Sequence, residues 1–358
     1  MQLLRVLLEM KQISVEQVNP IQDEKWDQQV SLHDDATVFH SSAWSRVLEE
    51  TYGHFPCCLR LLEGEKLLAL VPMMEVSKFP KGLRGVGMPF SDSCTPLLYE
   101  KGCEDEVLNE VRRVLKAREW RYAEIRATAS LEKAANPDGA VSFYGHELSL
   151  SNKEEDQMQR MRSSARRCLR QAVESGFSVS IASSWSALQK FFGLHEKTRR
   201  RHGAPPQPLS FFKSIYRHIL KSGKGFVSLV EKNGLPVSGA VFFHSKTRAT
   251  YKFGASDERY LGSRPNHLAM WEGIRSLIAQ GCKVLEFGRT DPSQDGLRRF
   301  KKSWGANEVN LLYLRSNEDS DRWEIKPESH NSLLLSGFRF MPLPINRLAG
   351  RMIYPHLD

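Results

Sequence analysis

The chain has 358 residues, 41% of them hydrophobic and 26% charged, with a formal net charge of +9 and a mean hydropathy of −0.43. That length suits two domains, the apolar content supports packed cores, and no run reaches the ~18 apolar residues of a membrane-spanning helix. The basic balance suits an anionic ligand: a nucleotide, a phosphate-bearing cofactor, RNA or an acidic membrane face.

The opening MQLLRVLLEMKQ (1–12) is apolar but broken by Arg5 and Glu9, and no small-residue cleavage site follows. It reads as a first strand or helix, not a signal peptide. In CCLRLLEGEKLLALVPMMEV (57–76) two apolar runs flank a Glu-Gly-Glu turn, the pattern of a β-hairpin. GLRGVGMPF (82–90) follows as a glycine-punctuated extended piece. In EDEVLNEVRRVLKAREW (104–120), Val107, Leu108, Val111, Val114 and Leu115 recur at helical spacing with charge opposite. YAEIRA (122–127) predicts a strand, NPDG (136–139) a turn and VSFYGHELSL (141–150) another strand. MQRMRSSARRCLRQAVESG (158–176) predicts a basic amphipathic helix. Arg160, Arg162, Arg166, Arg167 and Arg170 share one face, and Met158, Met161, Ala165, Leu169 and Ala172 the other. Those arginines are either simply solvated or turned to an anion at a domain interface.

HEKTRRRH (195–202) resembles a metalloprotease signature only superficially, since its second histidine falls at i+7 where one helix face needs i+4; no metal is expected. GFVSLVEKNGLPVSGAVFFHSKTRATYKFGAS (225–256) predicts three strands, with Asn233-Gly234 as the first hairpin turn and HSKTR as the second. A helix follows from about Arg264, with Pro265 in its first turn, an apolar stripe of Leu268, Trp271, Ile274, Leu277 and Ile278, and Gly281 to end it. KVLEFG (283–288) and NLLYLR (310–315) are strands. Hairpin, helix and strand thus occur twice in the same order, which predicts a structural duplication with an α/β domain in each half. The expected divisions are 1–155, a connecting helix 156–177, a second domain 178–316 and a tail 317–358. LLLSGFRFMPLPINRLAGRMIYPHLD (333–358) has no acid before Asp358. It either packs back on the fold or lies on a membrane surface. The six cysteines form no CxxC pair and no zinc spacing, which suits a reducing, cytoplasmic setting.

KTRRRHGAPPQPLSFFKSIY (197–216), YKFGASDERYLGSRPNHLAMWEGI (251–274), LEFGRT (285–290) and GLRRFKKSWGA (296–306) together resemble the FemAB-like branch of the GNAT acyltransferase superfamily. The likeness is greatest to members associated with exopolysaccharide and PEP-CTERM sorting loci. FHSSAWSRVLEETYG (39–53) resembles the family's N-terminal helix. The resemblance implies two tandem GNAT-like domains with mixed sheets flanked by helices, and one active site in a cleft near their interface. It also implies an N-acyltransferase forming an amide on an amino-sugar, polysaccharide or cell-envelope precursor. Some members take acyl-CoA. Those that build peptidoglycan cross-bridges take amino acids from aminoacyl-tRNA. An acyl-CoA donor is the first expectation here, with aminoacyl-tRNA, or a non-catalytic scaffold of an exopolysaccharide assembly system, as alternatives. The R/Q-x-x-G-x-G/A loop that cradles CoA pyrophosphate has no convincing copy, because RGVG (84–87) lies in an extended stretch. The long coiled-coil insertion of many cell-wall relatives is also missing from the pattern.

Amide formation needs a deprotonated amine, a stabilised oxyanion and aligned substrates. FGRTDPSQDGLRRFKKSWG (287–305) offers Arg289 and Lys301 as cations and Asp291 as an amine-binding or basic group. Arg289 follows a strand end, a usual place for a site. By resemblance, Lys301 after Phe300 lies near the acyl-transfer site. Alternation sends Tyr251 and Lys252 to opposite faces, with Lys252 assigned to the cleft. Asn266 and His267, at a helix start, either touch substrate or serve the helix. Arg199 and His202 border the substrate on the family pattern, and Asp92 and Ser93 resemble its PF-x-D segment, a sugar or acceptor contact. Trp44 suits core packing or stacking on a sugar. The expected setting is the cytoplasm, with contact to the inner membrane face through the tail.

Overall fold

The computed structural model describes residues 13–78, 82–139, 141–320, 322–326 and 336–357, so the reading of residues 1–12 lies outside the described residues. The strands are β1 (Ile13–Val18), β2 (Phe55–Pro56), β3 (Cys58–Glu63), β4 (Lys66–Val71), β5 (Met74–Lys78), β6 (Gly82–Val86), β7 (Leu97–Leu98) and β8 (Tyr122–Ala127). They continue with β9 (Phe143–Ser149), β10 (Ser178–Ala182), β11 (Gly225–Lys232), β12 (Leu235–Ser245), β13 (Arg248–Ser256), β14 (Val284–Glu286), β15 (Asn307–Asn317) and β16 (Glu324–Ile325).

The expected hairpins form where their turns predict. Gly64 takes the left-handed backbone between β3 and β4, and Asn233 and Gly234 both take it between β11 and β12. The two parallel pairings between named strands are β6 with β8 and β13 with β14. Each is bridged by a crossover helix, Glu104–Ala117 in the first half and Pro265–Ala279 in the second. All five apolar residues expected on the first helix are buried, as are Leu268, Trp271, Ile274 and Leu277 on the second. The repeated element order is therefore a repeated topology.

The halves are not laid side by side. Among the described residues a 12-stranded sheet runs in the order β10-β11-β12-β13-β14-β9-β15-β8-β6-β5-β2, with β16 paired to β15 off this path, and a four-stranded sheet, β1-β3-β4-β7, stands apart. In the long sheet β9, from the first half, lies between β14 and β15 of the second, and β15 lies between β9 and β8 of the first.

The expected single helix over 158–176 is two, Glu154–Arg160 and Ser163–Glu174. Met161 and Arg162 between them are extended, because the Arg162 N–H bonds the Ser303 carbonyl at 2.9 Å instead of continuing the helix. Gly305 packs so closely there that a Cβ would stand 2.8 Å from the Arg160 oxygen. Met161, Ala165, Leu169 and Ala172 are buried, but Met158 is exposed, and all five arginines face solvent.

RGVG is a packing device. A Cβ on Gly85 would stand 2.0 Å from the Trp120 ring, which is fixed by its own hydrogen bond to Glu75 at 2.7 Å, and one on Gly87 would press on the Glu124 carbonyl. Gly85→Val should therefore destabilise the fold by about 1–3 kcal/mol through overpacking. Urea unfolding checks it: the midpoint should fall with an unchanged denaturant slope, and an unmoved midpoint would show that Trp120 can yield.

Candidate transfer site at the junction of the two halves

The site begins with a divergence. β13 runs to Ser256, yet it pairs with β14 only over Arg248–Thr250. Beyond Thr250 the register to β12 skips one residue, from Phe242↔Tyr251 to Val241↔Phe253, so Lys252 is the extra residue of a bulge. Bulges bend a strand and re-aim its side chains. Tyr251 packs behind, on Phe242 and Phe287 with ring centroids 5.6 and 6.1 Å away, as alternation predicts. Lys252 turns to the other side, its ammonium 5.2, 5.7 and 5.3 Å from the Phe39, Trp44 and Phe253 ring centres. Trp44 is fully buried core.

Residues 88–95 of the first half fill the opening. The Phe90 carbonyl accepts a hydrogen bond from Lys252, and the Ser93 hydroxyl donates to the Glu286 carboxylate. Met88 and Phe90 both take left-handed backbone at φ 44° and 58°. Such conformations cost on the order of 1–3 kcal/mol each and cluster at functional sites. Glu286, buried at the end of β14, has its carboxyl pushed up by burial, while Arg248 at 2.8 Å opposes the shift.

After β14, Gly288 turns left-handed at φ 68°, and a Cβ on it would stand 2.4 Å from an Asp92 carboxylate oxygen. Thr290 then rejoins the sheet by paired backbone bonds to Tyr144 of 2.9 and 2.7 Å. Lys301, on the helix Asp295–Ser303, reaches back beneath this loop. Its Nζ donates to the carbonyls of Gly288 and Arg289 at 2.8 and 3.1 Å and to Thr290 Oγ1 at 2.7 Å. Three acceptors match the three donors of an ammonium. Burial pushes Lys301 down to about 8, with Asp92 pulling the other way. Lys301 therefore holds the loop from below, and the mouth belongs to Arg289 and Asp92. Arg289 lies over the Phe143 and Tyr313 rings at 4.7 and 5.6 Å, with Nε 3.6 Å from Asp92 Oδ1. The Tyr313 hydroxyl donates to the Asp92 carbonyl at 3.1 Å and accepts from Arg289 at 3.5 Å. The Arg289 side chain is 36% exposed and that of Asp92 27%, so both meet solvent from a rigid floor. A guanidinium and a carboxylate at one opening can face an oxyanion and an ammonium together.

The structure thus gathers Lys252, Asp92, Ser93, Arg289 and Lys301. The other expected residues make contacts elsewhere. The Asp291 carboxylate closes a turn on Ser293, accepting from its N–H at 2.9 Å and its hydroxyl at 2.5 Å. Asn266 accepts from Ser238 at 2.8 Å. His267 packs on Phe300 and Trp304 and is pushed down to about 4 by burial and by Arg264. Arg199 donates to the Pro205 carbonyl and the Tyr354 hydroxyl, and His202 is an exposed helix end. His195 is buried against Gln207 at 2.8 Å. Tyr313, Phe143 and Glu286 are additions that the sequence reading lacked. Glu286 carried a signal: an acid between Leu285 and Phe287 in a buried strand needs a partner.

A family model described as an acetyltransferase (GNAT) domain matches residues 159–302. The lipid II:glycine glycyltransferase of Staphylococcus haemolyticus is 34% identical over 80 residues, 21% of this chain and 19% of that protein. The enzyme of the same name from Staphylococcus epidermidis is 33% identical over 93 residues, 24% of this chain and 22% of that protein. The match thus spans about a fifth of the length of these relatives. Among solved structures, FemX superposes with a TM-score of 0.68 at 14% identity, covering 83% of this chain and 95% of that one. A tandem GNAT protein from the clavulanic acid biosynthesis pathway gives 0.53 at 8% identity, covering 87% of this chain and 100% of that one. The structures speak to fold alone. With the sequence matches they bear out the likeness to the FemAB-like GNAT branch and its tandem α/β architecture.

Lys301→Met removes all three donors beneath the loop. Leaving buried acceptors unpaired costs about 1–3 kcal/mol, so thermal unfolding should come a few degrees lower. Amide exchange at residues 287–291 should rise selectively, and unchanged exchange there would refute the clamp. A pH effect follows from four histidines, His40, His146, His195 and His267, pushed down by burial to about 4, 4, 3 and 4. Each folded value lies below the unfolded one, so the unfolded chain binds more protons in the window from about 4 to the ordinary 6.5. Stability should therefore fall as pH drops from 6.5 towards 4, and His267→Phe should flatten that fall in urea titrations at stepped pH.

Proposed function

We propose that this chain is an acyltransferase that forms an amide on an amine of a cell-envelope precursor, with the Asp92–Arg289 opening as its transfer site. The observation that carries the reading is this partly exposed carboxylate–guanidinium pair, held at the diverging strand ends where the two halves meet. Asp92 binds the acceptor ammonium and takes its proton. The freed amine attacks the carbonyl carbon of the activated donor; the new N–C bond forms and the displaced pair becomes an oxyanion facing Arg289. Collapse of this intermediate breaks the bond to the donor's leaving group, which departs with a proton. Lys252 adds positive charge from the bulge, and Lys301 keeps the Gly288–Thr290 backbone in place.

Two observations favour an aminoacyl ester, such as aminoacyl-tRNA, as donor. The relatives named above are glycyltransferases, and the one glycine-rich candidate for a pyrophosphate loop is occupied by packing. Acyl-CoA is the second reading, favoured by the match to the acetyltransferase domain model. The acceptor class is an amino-sugar or a lipid-linked cell-wall precursor.

Transfer of a radiolabelled acyl group to such a precursor is expected from charged tRNA, with acyl-CoA run in parallel. Removing one oxyanion-stabilising donor typically costs about 10²–10³ in rate. Arg289→Ala should therefore lose transfer on that scale while its unfolding midpoint stays near the parent's. Full activity of Arg289→Ala would reassign the site, and no transfer from either donor would end the enzymatic reading.

A further inference from the structure

The C-terminal helix Leu343–Ile353 is mounted with its apolar side outward. Its inward residues are Asn346 and Gly350. Gly350 lies so close to the Pro205–Pro206 backbone that a Cβ would stand 2.0 Å from the Pro206 oxygen. The mounting is polar. Arg347 donates two hydrogen bonds to the buried Glu196 carboxylate, the Tyr354 hydroxyl donates to the Pro205 carbonyl at 3.2 Å, and Arg84 donates to the His356 carbonyl at 2.9 Å. The outward residues Ile345, Leu348 and Met352 follow i, i+3, i+7 spacing and are 53%, 58% and 66% exposed, with Phe340 just ahead of them at 85%. A helix on a water-facing surface normally turns such a stripe inward.

The surroundings indicate what covers it. Leu348 and Leu209 line a groove of about 760 Å3 between this helix and the helix Trp185–Arg201. Residues 336–357 contain no acid, and Arg339 and Arg351 stand exposed at either end of the stripe. Beside it, a cavity of about 460 Å3 is lined by Lys197, Arg200, Arg201, Arg259 and Arg339, against Asp257 and Glu258. Apolar stripe, basic flanks and basic cavity lie along the same two helices.

We propose that this face docks on a bilayer surface bearing anionic headgroups. The stripe enters the boundary between headgroups and acyl chains, while Arg339, Arg351 and the basic cavity take the headgroup phosphates. A second copy of the chain fits less well, because it would set two basic faces together. The inference rests on the surface alone and stands apart from the transfer reading. It nevertheless connects to it: Tyr354, which anchors the helix, packs on the Phe90 ring at 5.9 Å, and Phe90 carries the carbonyl that Lys252 holds.

The test is co-sedimentation of the full chain with vesicles of phosphatidylcholine alone or mixed with phosphatidylglycerol. The protein should pellet with the anionic vesicles and release at high salt, because surface charge is screened beyond about 10 Å at 0.1 M. Replacing Ile345, Leu348 and Met352 together by Ser should reduce the bound fraction by at least about tenfold, since binding scales with buried apolar area. If that triple variant unfolds, Phe340→Ser, which lies outside the helix, carries the same test with a smaller loss. No binding to either vesicle, or equal binding by the variants, overturns the proposal. A vesicle-negative protein that changes from dimer to monomer on the triple substitution would give the face to a second copy of the chain.

Discussion

Everything at the candidate site depends on β13 leaving β14 after Thr250. Two parallel strands that part leave polar side chains beside a widening gap, and buried polar groups must find partners. Here the partners come from the other half of the molecule, as residues 88–95 bring in a carbonyl for Lys252 and a hydroxyl for Glu286. Neither half could complete this arrangement alone. The left-handed Met88 and Phe90 are tolerated because the surrounding contacts fix them.

The floor beneath the opening is electrostatic as well as steric. Tyr313 has two guanidinium groups over its ring, Arg289 at 5.6 Å and Arg126 at 4.4 Å from the ring centre. Arg126 in turn stands 3.4 Å from the fully buried Glu124, which also holds Arg315 and Lys326. A buried carboxylate shared among several cations keeps the region positive without leaving an unpaired buried charge. Arg289, whose side chain is partly exposed, is the end of this assembly nearest solvent.

Much of the fold was legible because its signals are local. Asn233-Gly234 specifies its turn, and the stripes of 104–117 and 265–279 specify their helices within one window each. The break at Met161–Arg162 was not legible, since its cause is a carbonyl at Ser303, far along the chain. The site shows the same limit. Lys301 and Lys302 are neighbours of one residue type, yet Lys301 is 3% exposed beneath a loop, whereas Lys302 pairs with Glu308 at 2.8 Å. Helix phase against residues 288–290 decides between them, and no feature of FKKSW announces that phase. Lys252 was placed on the right side by alternation, but the bulge that aims it depends on the pairing of β12 with β13.

The interleaving of β9 and β15 bears on how the chain is made. Among the described residues β9 pairs with strands β14 and β15 alone, both of which leave the ribosome well over a hundred residues later. Until then it has no strand on either edge, and β8 lacks its neighbour β15. The N-terminal half cannot close its sheet during synthesis and exposes unpaired edges, a hazard for aggregation. The same weave means that the halves cannot swing apart as rigid bodies about a linker, because any such motion would tear the sheet. Any widening of the Asp92–Arg289 site therefore falls to the loops around it while the sheet stays whole.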